Sequence, residues 1–302
     1  MRRLLRWLGY GVAGLAALAV VAAIVVYALS ERVLRRTYDP PSAPAFAAAL
    51  PTDSTSLAEG RRLAVTRGCY GGCHGTQLAG SVFFDEPGVA RLVAPDLTAA
   101  ARRYSDAELE RIIRHGLRPD GRSVFGMPSW TFQALSDADL ARILAFIRSQ
   151  PAATGGLGPS VRAGPLGRIG LVTGKFEPVA VMVRRDSTTA APAERPGPGD
   201  SLGLGRYLAR STCAECHGSD LRGGARVPAL AVAAGYTPAE FNHLLRTGEA
   251  KGRREVGLMS RVARSRFSRF TDEEVSAIHG YVRTLAAAPG AAAGLERSAM
   301  AR

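Results

Sequence analysis

Apolar and polar residues follow two kinds of pattern along this chain. Near the start, residues 7–29 form an unbroken apolar run, WLGYGVAGLAALAVVAAIVVYAL, which has 23 residues and no charge. Much later, apolar residues recur at the spacing of a helix that buries one face. This spacing occurs twice, at Leu140, Ile143, Leu144 and Ile147 and again at Val275, Ile278 and Val282. The pattern predicts one long apolar helix and two amphipathic helices.

Helix starts are marked by a hydroxyl residue followed three positions later by an acidic residue. The two side chains together satisfy the free amide groups of a first helical turn. Such pairs occur at Ser56 and Glu59, Ser105 and Glu108, Ser136 and Asp139, Thr237 and Glu240, and Thr271 and Glu274. We therefore expect a helix to begin at each of these five places.

The two halves of the chain repeat one another. GRRLAVTRGCYGGCHGTQLAG, from Gly60, aligns with GRYLARSTCAECHGSDLRGG, from Gly205, and the final amphipathic segments 132–148 and 267–283 also align. A repeat of this length indicates two copies of one domain. The predicted fold is all-α, with two tandem helical domains joined by a linker rich in glycine and proline. The predicted segments are an N-terminal anchor (1–36), a linker (37–55), domain 1 (56–150), an inter-domain linker (151–200), domain 2 (201–287) and a tail (288–302).

The inter-domain linker contains IGLVTGKFEPVAVMVRR, in which β-branched residues alternate with others. This alternation is typical of a short hairpin. A plain linker is equally compatible with it.

The apolar run at 7–29 is interpreted as a transmembrane helix. At about 1.5 Å per residue it is long enough to cross a hydrocarbon core of about 30 Å. The alternative is a cleaved secretory signal, because Arg2, Arg3 and Arg6 precede the run. The run is, however, longer than the roughly 7 to 15 apolar residues of an ordinary signal peptide.

All four cysteines of the chain lie in two short motifs, CYGGCHG at 69–75 and CAECHG at 213–218. In each motif a histidine directly follows the second cysteine. Disulfides, a redox-active dithiol and a zinc site are alternatives, but each leaves both histidines unexplained. CxxCH is the signature of c-type haem attachment, and the chain therefore resembles the dihaem cytochromes c.

The resemblance implies two covalently bound haem c groups and a set of residues that hold them. Thioether bonds are expected from Cys69, Cys73, Cys213 and Cys216, and iron ligation from His74 and His217. The second iron ligands are expected to be Met127 in GMPS and Met259 in GLMS, which occupy matching places in the two repeats. Pro95 and Pro228 match the position whose carbonyl accepts a hydrogen bond from the histidine and fixes its ring. His115, His243 and His279 are alternative ligands, although none has a counterpart in the other repeat.

The first motif has three residues between its cysteines, where the second has two. We expect Gly71 and Gly72 to absorb the extra residue as a local bulge, since glycine adopts positive φ without steric cost. The alternative is that Cys69 is out of reach of the haem. In that case Cys73 makes a single thioether bond and Cys69 stays a free thiol.

A filled second ligand position favours electron transfer, and an open one permits peroxide or gas chemistry. The resemblance therefore predicts an electron carrier rather than an enzyme. It also predicts a single-pass protein of the bacterial inner membrane, held by the N-terminal helix, with its haem domains in the periplasm. The expected partners are redox proteins and not a small-molecule substrate.

The chain is compatible with an oxidase subunit, a dehydrogenase subunit or a free-standing shuttle. The alternative functions are a dihaem peroxidase-like enzyme and a haem-based sensor.

The net charge of +13 comes almost wholly from arginine, since Lys175 and Lys251 are the only lysines. Such a charge is compatible with nucleic acid, anionic lipid or an acidic protein as a partner. It is equally compatible with a compositional bias that has no function. Because no predicted helix combines a run of basic residues with interleaved aromatic residues, we do not expect nucleic acid binding.

Overall fold

A computed structural model describes residues 2–42, 46–186, 195–197, 199–224 and 226–287. The predicted tail at 288–302 lies outside these residues. Helices dominate the described chain, as the sequence predicts. The helices before the inter-domain linker are α1 (Arg2–Arg35), α2 (Ser54–Thr66), α3 (Leu97–Arg103), α4 (Asp106–His115), α5 (Ser129–Phe132) and α6 (Asp137–Ser149). The later helices are α7 (Pro165–Val172), α8 (Val179–Asp186), α9 (Ser201–Leu208), α10 (Ala214–His217), α11 (Pro238–Thr247), α12 (Leu258–Ser265) and α13 (Asp272–Ala287).

Each repeat is built on its first and last helices, which cross and bury their apolar faces. In the first repeat Leu63 of α2 and Ile143 of α6 belong to one core cluster and are 0 % and 2 % exposed. In the second repeat Leu208 of α9 and Ile278 of α13 are buried in the same way, at 0 % and 1 % exposed. The two amphipathic helices predicted from the spacing are therefore α6 and α13.

Four of the five predicted helix starts are confirmed. Ser105 and Thr237 each form a complete capping box with the glutamate three residues later. The side chain of Ser136 caps α6, and Thr271 and Glu274 bond to each other's backbone amides at the start of α13.

The prediction of a start at Ser56 is wrong. Helix α2 begins at Ser54, because the carboxylate of Asp53 accepts a hydrogen bond from the amide of Ser56 at 2.8 Å. Aspartate is as good an N-cap as serine, and here it lies three residues earlier.

The all-α prediction missed a small sheet. Strands β1 (Ser81–Glu86), β2 (Ala90–Ala94) and β3 (Ser160–Ala163) form an antiparallel sheet in that order. Leu92 of β2 pairs with Val161 of β3, so the inter-domain linker contributes a strand to the first domain. A second, two-stranded piece consists of β4 (Glu249–Ala250) and β5 (Arg254–Glu255).

The linker segment predicted as a hairpin or a plain linker contains α7 and α8 instead. Pro165 lies in the first turn of α7, where proline fits a helix start. In α8 the residues Val179, Ala180 and Val183 are buried. Their spacing is that of one helix face, so the β-branched alternation was a misleading signal.

Helix α1 has 34 residues and is long and apolar enough, by length and composition, to cross a membrane, a test that a signal sequence also passes. Its C-terminal end contacts α7. The guanidinium of Arg168 donates to Ser30 Oγ at 2.7 Å and pairs with Glu31 at 2.9 Å. The following segment, predicted as a linker at 37–55, packs on the first domain, where Tyr38 and Phe46 are buried.

Buried charges join the two domains. Arg62 of α2 makes two hydrogen bonds, of 2.6 and 2.9 Å, to the carboxylate of Glu274 in α13. Arg195 bridges Glu274 and Asp139 of α6 at 3.0 and 2.8 Å. Tyr207 of α9 donates to Asp139 at 2.8 Å. The carboxylates are 2 % and 0 % exposed, so this network fixes how the domains meet.

Replacing Glu274 with glutamine should weaken this contact between the domains. Burial alone would raise the pKa of Glu274, but the hydrogen bonds and charge of Arg62 lower it to about 2. A lowered pKa means that Glu274 stabilises the fold fully above about pH 4.5, its ordinary value, and that this stabilisation is lost as the pH falls towards 2. We expect Glu274→Gln to cost about 2 kcal/mol at neutral pH, since it removes the buried carboxylate that Arg62 and Arg195 share and leaves each arginine with one acidic partner, Glu59 or Asp139.

The measurement is urea unfolding of the detergent-solubilised protein between pH 3 and 7. Glu273→Gln is the matched control, because Glu273 lies on the exposed side of the same helical turn. Equal stability losses for the two variants would contradict the role assigned to Glu274.

Candidate functional site

The first repeat contains a cavity of about 840 Å³. Its walls bring together every site residue that the sequence predicts for this repeat: Cys69, Cys73, His74, Pro95 and Met127. Most of the other side chains at this end are apolar, namely Leu97, Leu109, Ile113, Phe132, Leu144 and Ile147, while Arg67, Glu215 and Arg266 add charge beside the cysteines. The cysteines and the histidine follow the C-terminal end of α2, and Met127 lies just before α5.

The histidine of each repeat is held by one hydrogen bond. The Nδ1 of His74 lies 2.8 Å from the carbonyl oxygen of Pro95, and the Nδ1 of His217 lies 2.8 Å from that of Pro228. Because a carbonyl oxygen only accepts, Nδ1 must carry the proton and Nε2 keeps its lone pair. Burial also lowers the pKa of both histidines, which favours the neutral ring that binds a metal.

The extra residue of the first motif is absorbed where the sequence predicts it, at a bulge between the two cysteines. Gly71 has φ of +75°, while Gly72, expected to share this role, has φ of −110°. The bulge is closed by hydrogen bonds from the amide of Gly71 to Gly75 O and from the amide of Cys73 to Gly68 O, both 3.1 Å long. In the second motif, by contrast, the segment from Ala214 to His217 is regular helix.

Two of the predicted residues of the second repeat pack against one core cluster. Cys213 and Met259 are partly buried, and both pack against the cluster that includes Leu208 and Phe241. Met259 lies in the first turn of α12. The structure thus brings Cys213 and Met259 to the same core, while Cys216 is exposed.

The surroundings of Cys69 and Cys213 disfavour the thiolate form. Burial raises the pKa of the Cys69 thiol to about 11 and that of Cys213 to about 12. The reactive form of cysteine and the form that binds zinc is the thiolate. This environment argues against a redox-active dithiol. The described residues also contain no group of three or more histidine, cysteine, aspartate or glutamate side chains that could hold a metal ion such as zinc.

The competing histidines have other partners. His243 Nε2 lies 3.0 Å from the carboxylate of Glu249, and His279 Nε2 lies 3.0 Å from the carbonyl oxygen of Tyr236. His279 also stacks on Phe241 with ring centroids 5.0 Å apart. His115 lies 3.5 Å from Glu110.

The other end of the first cavity is cationic, which the sequence analysis missed. It is lined by Arg35 of α1, Arg118 and Arg122 of the loop after α4, and Arg168 of α7. The Nε of Arg118 is buried without a hydrogen-bond partner, and its nearest carboxylate, that of Asp120, is 3.7 Å away. The sequence did contain a signal for Arg118. IIRHGLRPDGR in the first repeat aligns with LLRTGEAKGR in the second, and no arginine of the second repeat aligns with Arg118.

Comparison with known proteins defines the class. A model of the cytochrome c family matches residues 57–151 and 204–286, which together are more than half of the chain. The chain therefore belongs to the cytochrome c family. This family carries covalently bound haem c, and the chain is an electron-transfer protein rather than a catalytic enzyme.

Two curated proteins are similar over most of the chain. They are the cytochrome c subunits of alcohol dehydrogenase (quinone) from Gluconacetobacter polyoxogenes and from Komagataeibacter europaeus. Each is 26 % identical over 260 residues, which cover 73 % of this chain and 53 % of the relative. The chain thus spans about half the length of the curated relatives it matches.

The residues of the first cavity fit a haem c group. Two cysteines and a neutral imidazole lie at its mostly apolar end, and arginines of α1, α7 and the loop after α4 lie at the other end. This polarity matches a porphyrin, which is apolar except for its two propionates. The unpaired Nε of Arg118 is explained if an anionic group completes its surroundings, because buried polar atoms are rarely left without a partner.

Gly71→Ala should reduce haem loading at the first site, whereas Gly88→Ala should not. A Cβ atom added at either position meets nothing within 4 Å, and both glycines have φ of +75°, where an L-residue costs roughly 1–2 kcal/mol. Crowding and strain are therefore equal in the two variants, but only Gly71 lies between the two cysteines. The haem content per chain, measured by a pyridine haemochrome assay, should fall only for Gly71→Ala. An equal fall in the two variants would contradict the bulge as the reason.

Proposed function

We propose that the chain is a membrane-anchored dihaem cytochrome c that carries single electrons between redox proteins on the periplasmic side of the bacterial inner membrane. One observation carries this proposal. Both repeats hold a cysteine pair followed by a histidine whose Nδ1 donates to a proline carbonyl at 2.8 Å. The same ligand-orienting contact, made twice, supports two sites of one kind.

In the first site Cys69 and Cys73 would hold the haem by thioether bonds, and His74 would offer Nε2 to the iron. Met127 lies on the wall of the same cavity and would supply the second protein ligand of the iron. Arg118 and Arg122, at the cationic end, would pair with the propionates. When bound, haem supplies an iron that takes up and releases one electron.

In the second site Cys213, Cys216, His217 and Met259 would have the same roles. A methionine in each site supports electron transfer over a peroxidase-like function, which needs one iron with an open or displaceable side. The packed apolar surroundings at both methionines support the same choice, because they leave little room for rearrangement between oxidation states.

The relatives support a particular kind of partner. They are named as cytochrome c subunits of a quinone alcohol dehydrogenase, so we propose that this chain serves as the cytochrome subunit of a related dehydrogenase complex. Its partners would then be an electron-donating dehydrogenase and a membrane or periplasmic acceptor. This choice is favoured over an oxidase subunit and over a free-standing shuttle.

The contact between α1 and α7 supports retention of the N-terminal helix. Arg168 binds Ser30 and Glu31 and also lies over the ring of Tyr27, with its guanidinium carbon 4.0 Å from the centroid. A signal sequence that is removed after export has no need of such contacts. We propose that α1 anchors the haem domains directly above the membrane, because the segment after it is packed rather than extended.

The proposal predicts two haem groups per chain and no free thiol at Cys69. After expression with a cytochrome c maturation system, the pyridine haemochrome assay should return two haems. Iodoacetamide should leave Cys69 unmodified in the denatured and reduced protein, since the bulge at Gly71 lets both sulfurs reach the porphyrin. One haem per chain would overturn the dihaem proposal. Quantitative alkylation of Cys69 would instead show a single thioether at the first site.

Replacing either proposed methionine ligand should open one iron. We expect the unmodified ferrous protein to bind carbon monoxide poorly and to show negligible peroxide turnover. Met127→Ala and Met259→Ala should each create one binding site for carbon monoxide per chain. Met182→Ala is the control, because Met182 lies in α8 within the inter-domain linker. Rapid carbon monoxide binding by the unmodified protein would favour the peroxidase-like enzyme or the sensor.

A further inference from the structure

The second domain closes the first cavity. Among the residues that line this cavity are Glu215, which lies between the two cysteines of the second motif, and Arg266, which follows α12. Arg67, which directly precedes the first motif, lines the same wall. The two cysteine motifs therefore meet at one charged seam, formed by Arg67, Glu215 and Arg266.

Hydrogen bonds hold the arginines of the seam in place. Arg266 donates from Nε and Nη2 to the carbonyl oxygen of Thr66 at 3.2 and 3.1 Å, and its Nη2 lies 2.8 Å from the carboxylate of Glu215. Arg67 is 2 % exposed and donates to Ser211 Oγ of the second domain at 3.3 Å. Arg266 thus bonds to the end of the helix that leads into the first motif and to a residue inside the second.

We propose that Arg266 is a shared tuning residue, which raises the reduction potentials of both haem sites from its place between them. The inference rests on the proposed dihaem function. Adding an electron to either site makes that site more negative, and a nearby buried cation stabilises the added charge. Glu215 has the opposite sign and offsets part of the effect. Charge and burial around a haem are recognised determinants of its potential.

The position of Arg266 suits this role better than a purely structural one. A buried ion pair adds little net stability, because removing both charges from water costs about as much as their attraction returns. The network of Arg62, Arg195, Glu274 and Asp139 already joins the domains elsewhere. The seam, in contrast, borders the first cavity itself, where water screens charge least.

Arg266→Gln should lower the midpoint potentials of both haems. At an effective dielectric constant of about 20, a unit charge anywhere within about 12 Å of a one-electron couple changes its equilibrium constant at least about tenfold. A tenfold change corresponds to about 59 mV. Glu215→Gln should shift both potentials in the opposite direction. The measurement is an optical redox titration of the full-length, detergent-solubilised holoprotein.

Arg264→Gln is the matched control, since Arg264 lies two residues before Arg266, in the last turn of α12, is paired with Glu255 and is 44 % exposed. It should leave both potentials unchanged. Opposite shifts in Arg266→Gln and Glu215→Gln would not arise from a loosened seam, which would move the potentials in one direction in both variants. If Arg266→Gln does not accumulate, two other variants test the inference. Arg266→Lys keeps the charge and should leave both potentials nearly unchanged, whereas Glu215→Gln should raise both.

Unchanged potentials in Arg266→Gln, or a shift at one haem alone, would overturn the inference. Such a result would leave the proposed function intact as long as the haem assay still returned two haems per chain. A chain with a single haem would fail at the earlier step, and the two failures are therefore distinguishable.

Discussion

The hydrogen bond between each histidine Nδ1 and a proline carbonyl is the contact on which the rest of the structure depends. It fixes the tautomer and the ring plane, so that Nε2 is the free ligand atom. For this bond to form, the loop carrying Pro95 must return to the end of α2, and β1 and β2 bring it there. The amide of Gly80 bonds to the carbonyl of His74 at 3.0 Å, which ties the start of that loop to the motif. The sheet that the sequence did not reveal therefore serves the site directly.

The residues of the two motifs were predictable because their chemistry is local in sequence. A cysteine pair, an adjacent histidine and a methionine at a matching place in the second repeat need no knowledge of the fold. Helix starts were predictable for the same reason, since a cap acts over three residues. The error at Ser56 shows the limit of such local rules, because an equally good cap at Asp53 lay within the same short stretch.

What the sequence did not reveal is non-local. Strand β3 pairs with β2 across about 70 residues of chain, and no local pattern in SVRA distinguishes it from a loop. The cationic end of the first cavity is assembled from α1, the loop after α4 and α7, three segments that are distant in sequence. The seam of Arg67, Glu215 and Arg266 joins residues from both repeats in the same way. Long-range contacts of this kind depend on tertiary packing, and periodicity carries no signal for them.

The strong preference for arginine over lysine has a physical basis in this structure. A planar guanidinium binds a carboxylate through two parallel hydrogen bonds, which a lysine ammonium does not. Arg62 binds Glu274 with this geometry and also pairs with Glu59. Arg266 donates hydrogen bonds both to the carbonyl oxygen of Thr66 and to the carboxylate of Glu215. Part of the formal charge of +13 is therefore inside the molecule, between domains and around the first cavity. The basic composition was compatible with anionic lipid or an acidic protein as a partner, but at these positions the arginines join two domains and line the first cavity.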